Sequence, residues 1–160
     1  MTNEKPDNAN VIVLPPVIYV GFFIVGYTLH YFIRLSLVQH HQLASILDIT
    51  GAALIIVSLI FPVLAVKTLQ KSKTTHMVSE PTTAIVSSGV FKYSRNPIYL
   101  SGITLYIGIS LIINSLILIT LVIPLFFVIR QGLVKREEDY LERKFGEQYL
   151  NYKKRVRRWI

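Results

Sequence analysis

Two polar stretches of the chain carry the residues that could do chemistry. The first, residues 87–99, has the sequence SSGVFKYSRNPIY, and the second, residues 130–152, contains the paired acids Glu137 and Glu138 and the phrase FGEQY. Both border long apolar runs, where polar groups are candidates for function. Paired carboxylates accept several hydrogen bonds and could bind a ligand ammonium group or ribose hydroxyls. Both stretches are therefore candidate ligand-binding segments.

Each stretch also has a purely structural interpretation. Asn96 is a good N-cap residue, and Pro97 after it suits the first turn of a helix. The acids around Glu138 and Glu142 could lie on a solvated helical face, balanced by the neighbouring basic side chains. From the residues alone, this structural interpretation is the simpler one.

Several kinds of catalytic site are excluded by composition. The chain has no cysteine, which removes thiol nucleophiles, disulfides and cysteine zinc sites together. Its four histidines are dispersed and form no metal-binding pattern. We therefore expect no metal site.

The elements that must position the two stretches are apolar helices. Of the 160 residues, 52% are hydrophobic and 16% are charged, against about 25% charged in soluble proteins. Four apolar runs are predicted to be membrane helices; they are residues 11–37, 43–66, 97–113 and 115–134. The third is short for a full crossing of about 30 Å. Because the link at 38–42 is short, the first two helices should form an antiparallel hairpin.

The remaining segments complete an all-α, multi-pass membrane protein. Residues 67–96 are predicted to be a cytosolic loop and residues 135–160 a cytosolic amphipathic helix, all within one domain spanning residues 1–160. The helical prediction for the C-terminal segment rests on apolar residues at spacings of three and four, with Gly146 as an interruption. The predicted fold is thus about four transmembrane helices followed by a C-terminal amphipathic helix.

The basic residues predict the orientation in the membrane. The net charge is +8, and an arrangement with both termini in the cytosol places every Lys and Arg except Arg34 on the cytosolic side. This asymmetry is what the positive-inside rule selects. It also explains the positive charge without a nucleic-acid partner, so we expect membrane lipids and not nucleic acid to be the surroundings of this protein.

The order of the motifs resembles a known group of enzymes. The phrase running from Gly89 to Tyr99, followed by Glu137-Glu138 and then by residues 145–149, is similar to the isoprenylcysteine carboxyl methyltransferase and phospholipid methyltransferase group. The resemblance covers the chain from about Thr83 to the C-terminus. It implies methyl transfer from S-adenosylmethionine to a lipophilic substrate at the membrane–cytosol boundary. That substrate would be similar to an isoprenylcysteine carboxylate or to a phospholipid.

The resemblance also implies which residues form the site. Those expected to bind the cofactor are His76, Thr83, Ala84, Ile85, Val86, Phe91, Asn96, Pro97, Ile98, Tyr99 and Glu137. Those expected to act in catalysis are Arg95, Arg130 and Glu138.

One position departs from the family pattern. Many members have His where this chain has Asn96, and Asn cannot titrate near neutral pH. We therefore expect a binding and capping role at this position. Since no general base is evident, an acceptor that is already anionic or nucleophilic is favoured.

Two alternatives stay open at this point. A membrane reductase of the sterol-reductase type would bind a nicotinamide cofactor, whose additional phosphates demand more arginines than the short loop offers. A non-enzymatic four-helix membrane interaction protein would not need the two polar stretches to meet at a common ligand.

Overall fold

The computed structural model describes residues 13–72 and 82–160, and these residues form helices joined by short links. In chain order the elements are α1 (Pro15–Ile33), α2 (His41–Lys71), a 3₁₀ turn (Gly89–Lys92), α3 (Pro97–Ile112), α4 (Leu116–Ile129), a π-helical turn (Arg130–Val134), α5 (Lys135–Phe145) and α6 (Glu147–Arg155). The described ranges contain no strand beyond an isolated bridge between Ser36 and Ser115. The all-α prediction is confirmed.

Three helical runs of the described residues are long and apolar enough to cross a membrane. They are Pro15–Ile33, His41–Lys71 and Leu116–Phe145, and the apolar helix Pro97–Ile112 is shorter. Large apolar side chains on the outside of the bundle are widely exposed, among them Phe32 (77%) and Ile49 (72%). A soluble protein would not leave so many in water, whereas lipid accepts them. The predicted multi-pass membrane architecture is therefore confirmed.

Some boundaries differ from those expected. Helix α2 continues to Lys71, past the predicted end of the second apolar run at Val66. The membrane helix predicted over residues 115–134 does not end at Val134, because the π-helical turn passes directly into α5. The expected single C-terminal helix is two helices, because Gly146 has a φ of +51°, which ends α5. Glycine adopts this conformation at little steric cost.

The first two helices pack against later helices more than against each other. Helix α2 packs along α3, and α1 packs on α4 with a smaller contact to α3. The predicted α1–α2 hairpin therefore does not form a tight pair. A space remains between α1 and α2, and α3 forms its floor.

The α2–α3 interface depends on two facing glycines. A Cβ atom on Gly51 would lie 2.7 Å from the carbonyl oxygen of Gly108, and one on Gly108 would lie 2.9 Å from the carbonyl oxygen of Gly51. Small residues at such crossings let helix backbones approach closely in membranes. This contact fixes α3 against α2.

The end of the bundle away from the site is fixed by Asn114. Its side chain donates to the carbonyl oxygen of Val38 (2.8 Å) and accepts from the amide of Val38 (3.0 Å). The carbonyl of Asn114 also accepts from the amide of Leu37 (3.2 Å). These bonds join the α1–α2 link to the turn between α3 and α4.

Candidate ligand-binding and active site

A cavity of about 990 Å³ lies at the other end of the bundle. Helices α1 and α2 form its sides, and the first half of α3 forms its floor. The segment 82–86, α5 and α6 form its remaining end, which the charge pattern predicts to face the cytosol. Its size is at the upper end of the range usual for small-molecule sites. The two polar stretches singled out in the sequence meet here, although about forty residues separate them in the chain.

The part of the cavity between α1 and α2 is apolar. Val20 and Phe23 contribute from α1, Leu59 and Pro62 from α2, and Leu105 from α3. The outer faces of α1 and α2 are the exposed apolar surfaces described above. An acyl or prenyl chain could therefore pass from lipid into this part without crossing a polar surface.

The opposite part of the cavity carries Glu137. The hydroxyl of Tyr99 donates to its Oε2 at 2.8 Å, and the hydroxyl of Tyr19 donates to the carbonyl oxygen of Tyr99 at 2.9 Å. These contacts bring α1, α3 and α5 together around one carboxylate. A hydroxyl supplies a hydrogen bond but no positive charge, so the carboxylate remains suited to a cationic ligand group.

The π-helical turn before α5 helps to orient this carboxylate. A π turn contains more residues per turn than an α-helix and shifts the phase of the residues that follow. The buried positions of the run are Leu118, Leu125 and Ile129 before the turn, Leu133 and Val134 within it, and Glu138 and Tyr140 after it. Glu137 and Glu138, which follow this turn, both line the cavity.

Glu138 lies at the centre of an ion cluster. Arg158 donates to it from Nη2 at 2.6 Å and from Nε at 3.1 Å, and Arg95 approaches from the other side at 3.2 Å. The side chain of Glu138 is 5% exposed. The hydrogen bond with Glu138 raises the pKa of Arg158 above its ordinary value. Glu138 is therefore engaged by two cations and is poorly placed to remove a proton from a substrate.

Arg95 has hydrogen-bonding capacity to spare. Its Nε and Nη1 atoms are buried and have no hydrogen-bond partner within the residues that the structure describes. Buried polar groups in native proteins are nearly always satisfied. Because Arg95 lines the cavity, an anionic ligand group would complete its bonding.

Two tyrosines of α6 close this end of the cavity. The hydroxyl of Tyr152 donates to the carbonyl oxygen of Phe91 at 2.8 Å, which ties α6 to the 3₁₀ turn. The ring of Tyr149 packs edge to face against that of Tyr152. Burial raises the pKa of both hydroxyls, so both stay neutral at physiological pH.

Asn96 does not have the expected capping role. It occupies the N-cap position of α3, but its side chain makes no cap hydrogen bond. Its Nδ2 atom instead donates to the carbonyl oxygen of Arg158 at 3.0 Å. The prediction of a capping side chain was wrong: the bond from Nδ2 holds the side chain toward the C-terminal residues, and Oδ1 accepts no bond from the first turn of α3.

Most of the residues predicted for the site line the cavity. They are Ala84, Ile85, Val86, Phe91, Arg95, Asn96, Pro97, Ile98, Tyr99, Glu137 and Glu138. Thr83 is exposed and is not part of the lining, while its neighbours Thr82 and Ala84 are. Arg130, in the π-helical turn, is not among the lining residues either. His76 lies outside the described residues.

Other lining residues were not predicted. Tyr19, on α1, and Tyr140, on α5, were not singled out as site residues. Tyr149 and Tyr152 belong to the predicted amphipathic face, and Tyr149 also ends the FGEQY phrase. The apolar spacing along α5 and α6 was the available signal. It could not distinguish a face turned to a cavity from a face turned to a core.

Comparisons with known proteins identify the family of this chain. A family model described as phospholipid methyltransferase matches residues 46–148, which extend from α2 into α6 and include the first polar stretch and the second as far as Gln148. The chain belongs to the phospholipid methyltransferase family. This is a family of integral membrane methyltransferases, so the resemblance in the sequence is confirmed.

One relative is similar over a shorter stretch. An uncharacterized protein from Haemophilus influenzae is 46% identical over 57 residues, which cover 36% of this chain and 81% of that protein. No solved structure matches the chain. Membership of the family supports methyltransferase activity on lipid-like substrates.

Proposed function

We propose that this protein transfers a methyl group from S-adenosylmethionine to a lipophilic acceptor inside the 990 Å³ cavity. One observation carries the proposal: a single cavity joins an apolar space between two lipid-facing helices to a polar end that holds Glu137 and Arg95. A lipid-binding protein would need only the apolar space. A soluble-ligand enzyme would need only the polar end.

The polar end fits the chemistry of the cofactor. S-adenosylmethionine carries a sulfonium and an ammonium group as well as a carboxylate, and when bound it supplies an electrophilic methyl group. Glu137, bonded to the Tyr99 hydroxyl, would hold a cationic group. The unpartnered Nε and Nη1 atoms of Arg95 would hold the carboxylate. The charges offered by the cavity thus have the signs that a zwitterionic ligand requires.

The apolar part fits the acceptor. Methyl transfer demands alignment of the reacting atoms and removal of water from them. The side chains between α1 and α2 would hold the acceptor's chain and exclude water. Because two arginines hold Glu138 and Asn96 cannot titrate, an acceptor that needs no deprotonation, such as a carboxylate, is favoured.

A nicotinamide cofactor fits the described lining less well. Its phosphate groups would require several cations, whereas Arg95 is the single basic residue among the described lining residues and is already paired with Glu138. We therefore do not propose a reductase, and the binding experiment below tests that alternative with NADPH.

The experiment is a titration of the purified, detergent-solubilised protein with S-adenosylmethionine, S-adenosylhomocysteine and NADPH. Binding of both adenosyl ligands and not of NADPH is expected. Glu137→Gln should weaken S-adenosylmethionine binding by about tenfold or more, the effect of losing a hydrogen-bonded charge worth about 1.5–3 kcal/mol.

The matched control is Glu147→Gln, which makes the same change at an exposed position of α6. It should bind like the parent. No adenosyl-ligand binding by the parent protein would refute the proposal, and NADPH binding in its place would identify a reductase. With binding established, transfer of a labelled methyl group to a prenylated cysteine or to a phospholipid would identify the acceptor.

A further inference from the structure

The last residues of the chain return to the beginning of α3. After α6 ends at Arg155, Val156 is extended (φ −122°, ψ 132°), and residues 156–160 form what we call the C-terminal tail. The amide of Arg95 donates to the carbonyl oxygen of Arg157 at 3.1 Å. The side chains of Ser94 and Asn96 both donate to the carbonyl oxygen of Arg158, at 3.4 and 3.0 Å. Three consecutive residues before α3 are thus bonded to the backbone of the tail.

The side chain of Arg158 adds a second attachment. It forms the two-pronged contact with Glu138 on α5, and Glu138 in turn contacts Arg95. The planar guanidinium matches a carboxylate in a way that a lysine cannot. Arg158 therefore supports Arg95 and Asn96, both of which line the cavity, although it is not itself a lining residue.

Trp159 supplies a third attachment. Its ring lies 5.2 Å from that of Phe126 on α4, and it packs against the buried core around Leu125 and Ile129. The tail therefore connects the loop before α3 with α4 and α5. The loop before α3 and α5 contribute side chains to the cavity lining, and α4 contributes to the core beside it.

We propose that the C-terminal tail is a clasp that holds the polar end of the cavity in its binding geometry, with Arg158 as a positioning residue. The proposal rests on the proposed function for its ligand. The loop before α3 is not helical, and the tail provides the backbone acceptors that fix it. Without the docked tail, Arg95 and Asn96 lose these acceptors and Glu138 loses its stronger partner. The cavity then loses its binding geometry while the membrane helices remain folded.

The chain offers two convenient probes of this clasp. Trp159 is its single tryptophan, so intrinsic tryptophan fluorescence reports on the tail alone. The chain has no cysteine, so Ser94→Cys introduces a unique thiol at a position that is 4% exposed under the tail. The fluorescence of Trp159 and the rate of thiol labelling both measure docking without any ligand.

The test compares Arg158→Gln with Arg157→Gln in the full-length, detergent-solubilised protein. The two variants remove the same charge from adjacent residues, but only Arg158 has its side chain on Glu138. Arg158→Gln should increase acrylamide quenching of Trp159, accelerate labelling at position 94, and weaken S-adenosylhomocysteine binding by about tenfold, as expected from loss of a charge-assisted bidentate contact. Arg157→Gln should change none of the three. Arg158→Lys keeps the positive charge but not the bidentate guanidinium contact, so its three measured values should lie between those of Arg158→Gln and Arg157→Gln.

The outcomes separate this proposal from the proposed function. If Arg158→Gln undocks Trp159 but binds S-adenosylhomocysteine like the parent, the tail is not a clasp for the site. If neither quenching nor labelling changes, Arg158 does not hold the tail, and the proposal is overturned whatever the ligand binding. If the parent binds no adenosyl ligand while the two docking measurements respond as expected, the proposed function fails and the clasp is supported by its structural readouts.

Discussion

Replacing Glu138 with glutamine should destabilise the protein much more than the same replacement at Glu142. Both residues lie on α5, one helical turn apart, and both form ion pairs. Glu138 is 5% exposed and pairs with Arg95 and Arg158, whose side chains are 8% and 29% exposed. Glu142 and its partner Lys153 are 41% and 37% exposed. The two substitutions therefore differ mainly in burial.

The expected magnitudes follow from that difference. Removing one partner of a buried ion pair leaves an uncompensated charge and costs about 3–5 kcal/mol. Because Arg158 keeps some access to water, the lower end, about 3 kcal/mol, is expected for Glu138→Gln. An exposed pair such as Glu142–Lys153 contributes about 0–1 kcal/mol. At about 2–4 °C per kcal/mol for a chain of this size, the unfolding midpoints should fall by about 6–12 °C and by at most about 4 °C.

The measurement is thermal unfolding followed by circular dichroism, with parent and both variants in the same detergent and at the same scan rate. A fixed scan rate is necessary because membrane proteins commonly unfold irreversibly. Equal, small shifts for the two variants would show that the Arg95–Glu138–Arg158 cluster is not the buried, coupled network that its geometry indicates.

Three further variants test the packing and the site. Gly51→Ala should lower the unfolding midpoint, because its Cβ would lie 2.7 Å from the carbonyl oxygen of Gly108. In the control Gly21→Ala the new Cβ meets nothing within 4 Å, so the midpoint should stay unchanged or rise. Equal midpoints for the two variants would contradict close packing of α2 on α3. Tyr99→Phe removes the hydroxyl bound to the site carboxylate and should weaken S-adenosylmethionine binding by about three- to thirtyfold, measured by calorimetry, with the fold retained. Asn114→Ala loses two bonds to the α1–α2 link and replaces asparagine, which tolerates a φ of 54°, with a residue that does so less readily. It should cost about 1–3 kcal/mol, measured by thermal unfolding; a midpoint equal to the parent's would refute the role given to this turn.

The membrane helices could be predicted because their signal is local. The length of an apolar run and the position of a proline are properties of adjacent residues, so Pro97 marked the first residue of α3 correctly. The family could be predicted for a related reason, since its motifs are short phrases in a fixed order. Neither signal depends on how the helices pack.

The interior of the site could be predicted only in part. The residues from Asn96 to Tyr99 and the Glu137-Glu138 pair were found, because they carry the motifs. Tyr19 was missed, because nothing in its own segment indicates that its hydroxyl reaches the carbonyl oxygen of Tyr99. Arg158 was missed as well, because a basic C-terminus has the same composition whether it binds lipid headgroups or folds back onto Glu138.

The two polar stretches from which the chemistry was first inferred show most clearly what the sequence determines and what the tertiary structure decides. The sequence by itself determined that they border membrane helices and that their acids and basic residues suit a charged ligand. The tertiary structure decided which of these side chains are free to bind it. The π-helical turn aims both acids at the cavity, and the break at Gly146 returns the tail to residues 94–96. Glu138 and Asn96 line the cavity but are bonded to Arg158 of the tail, 20 and 62 positions away in the chain. Glu137 is bonded to the Tyr99 hydroxyl, and Arg95 keeps two nitrogens without a partner among the described residues.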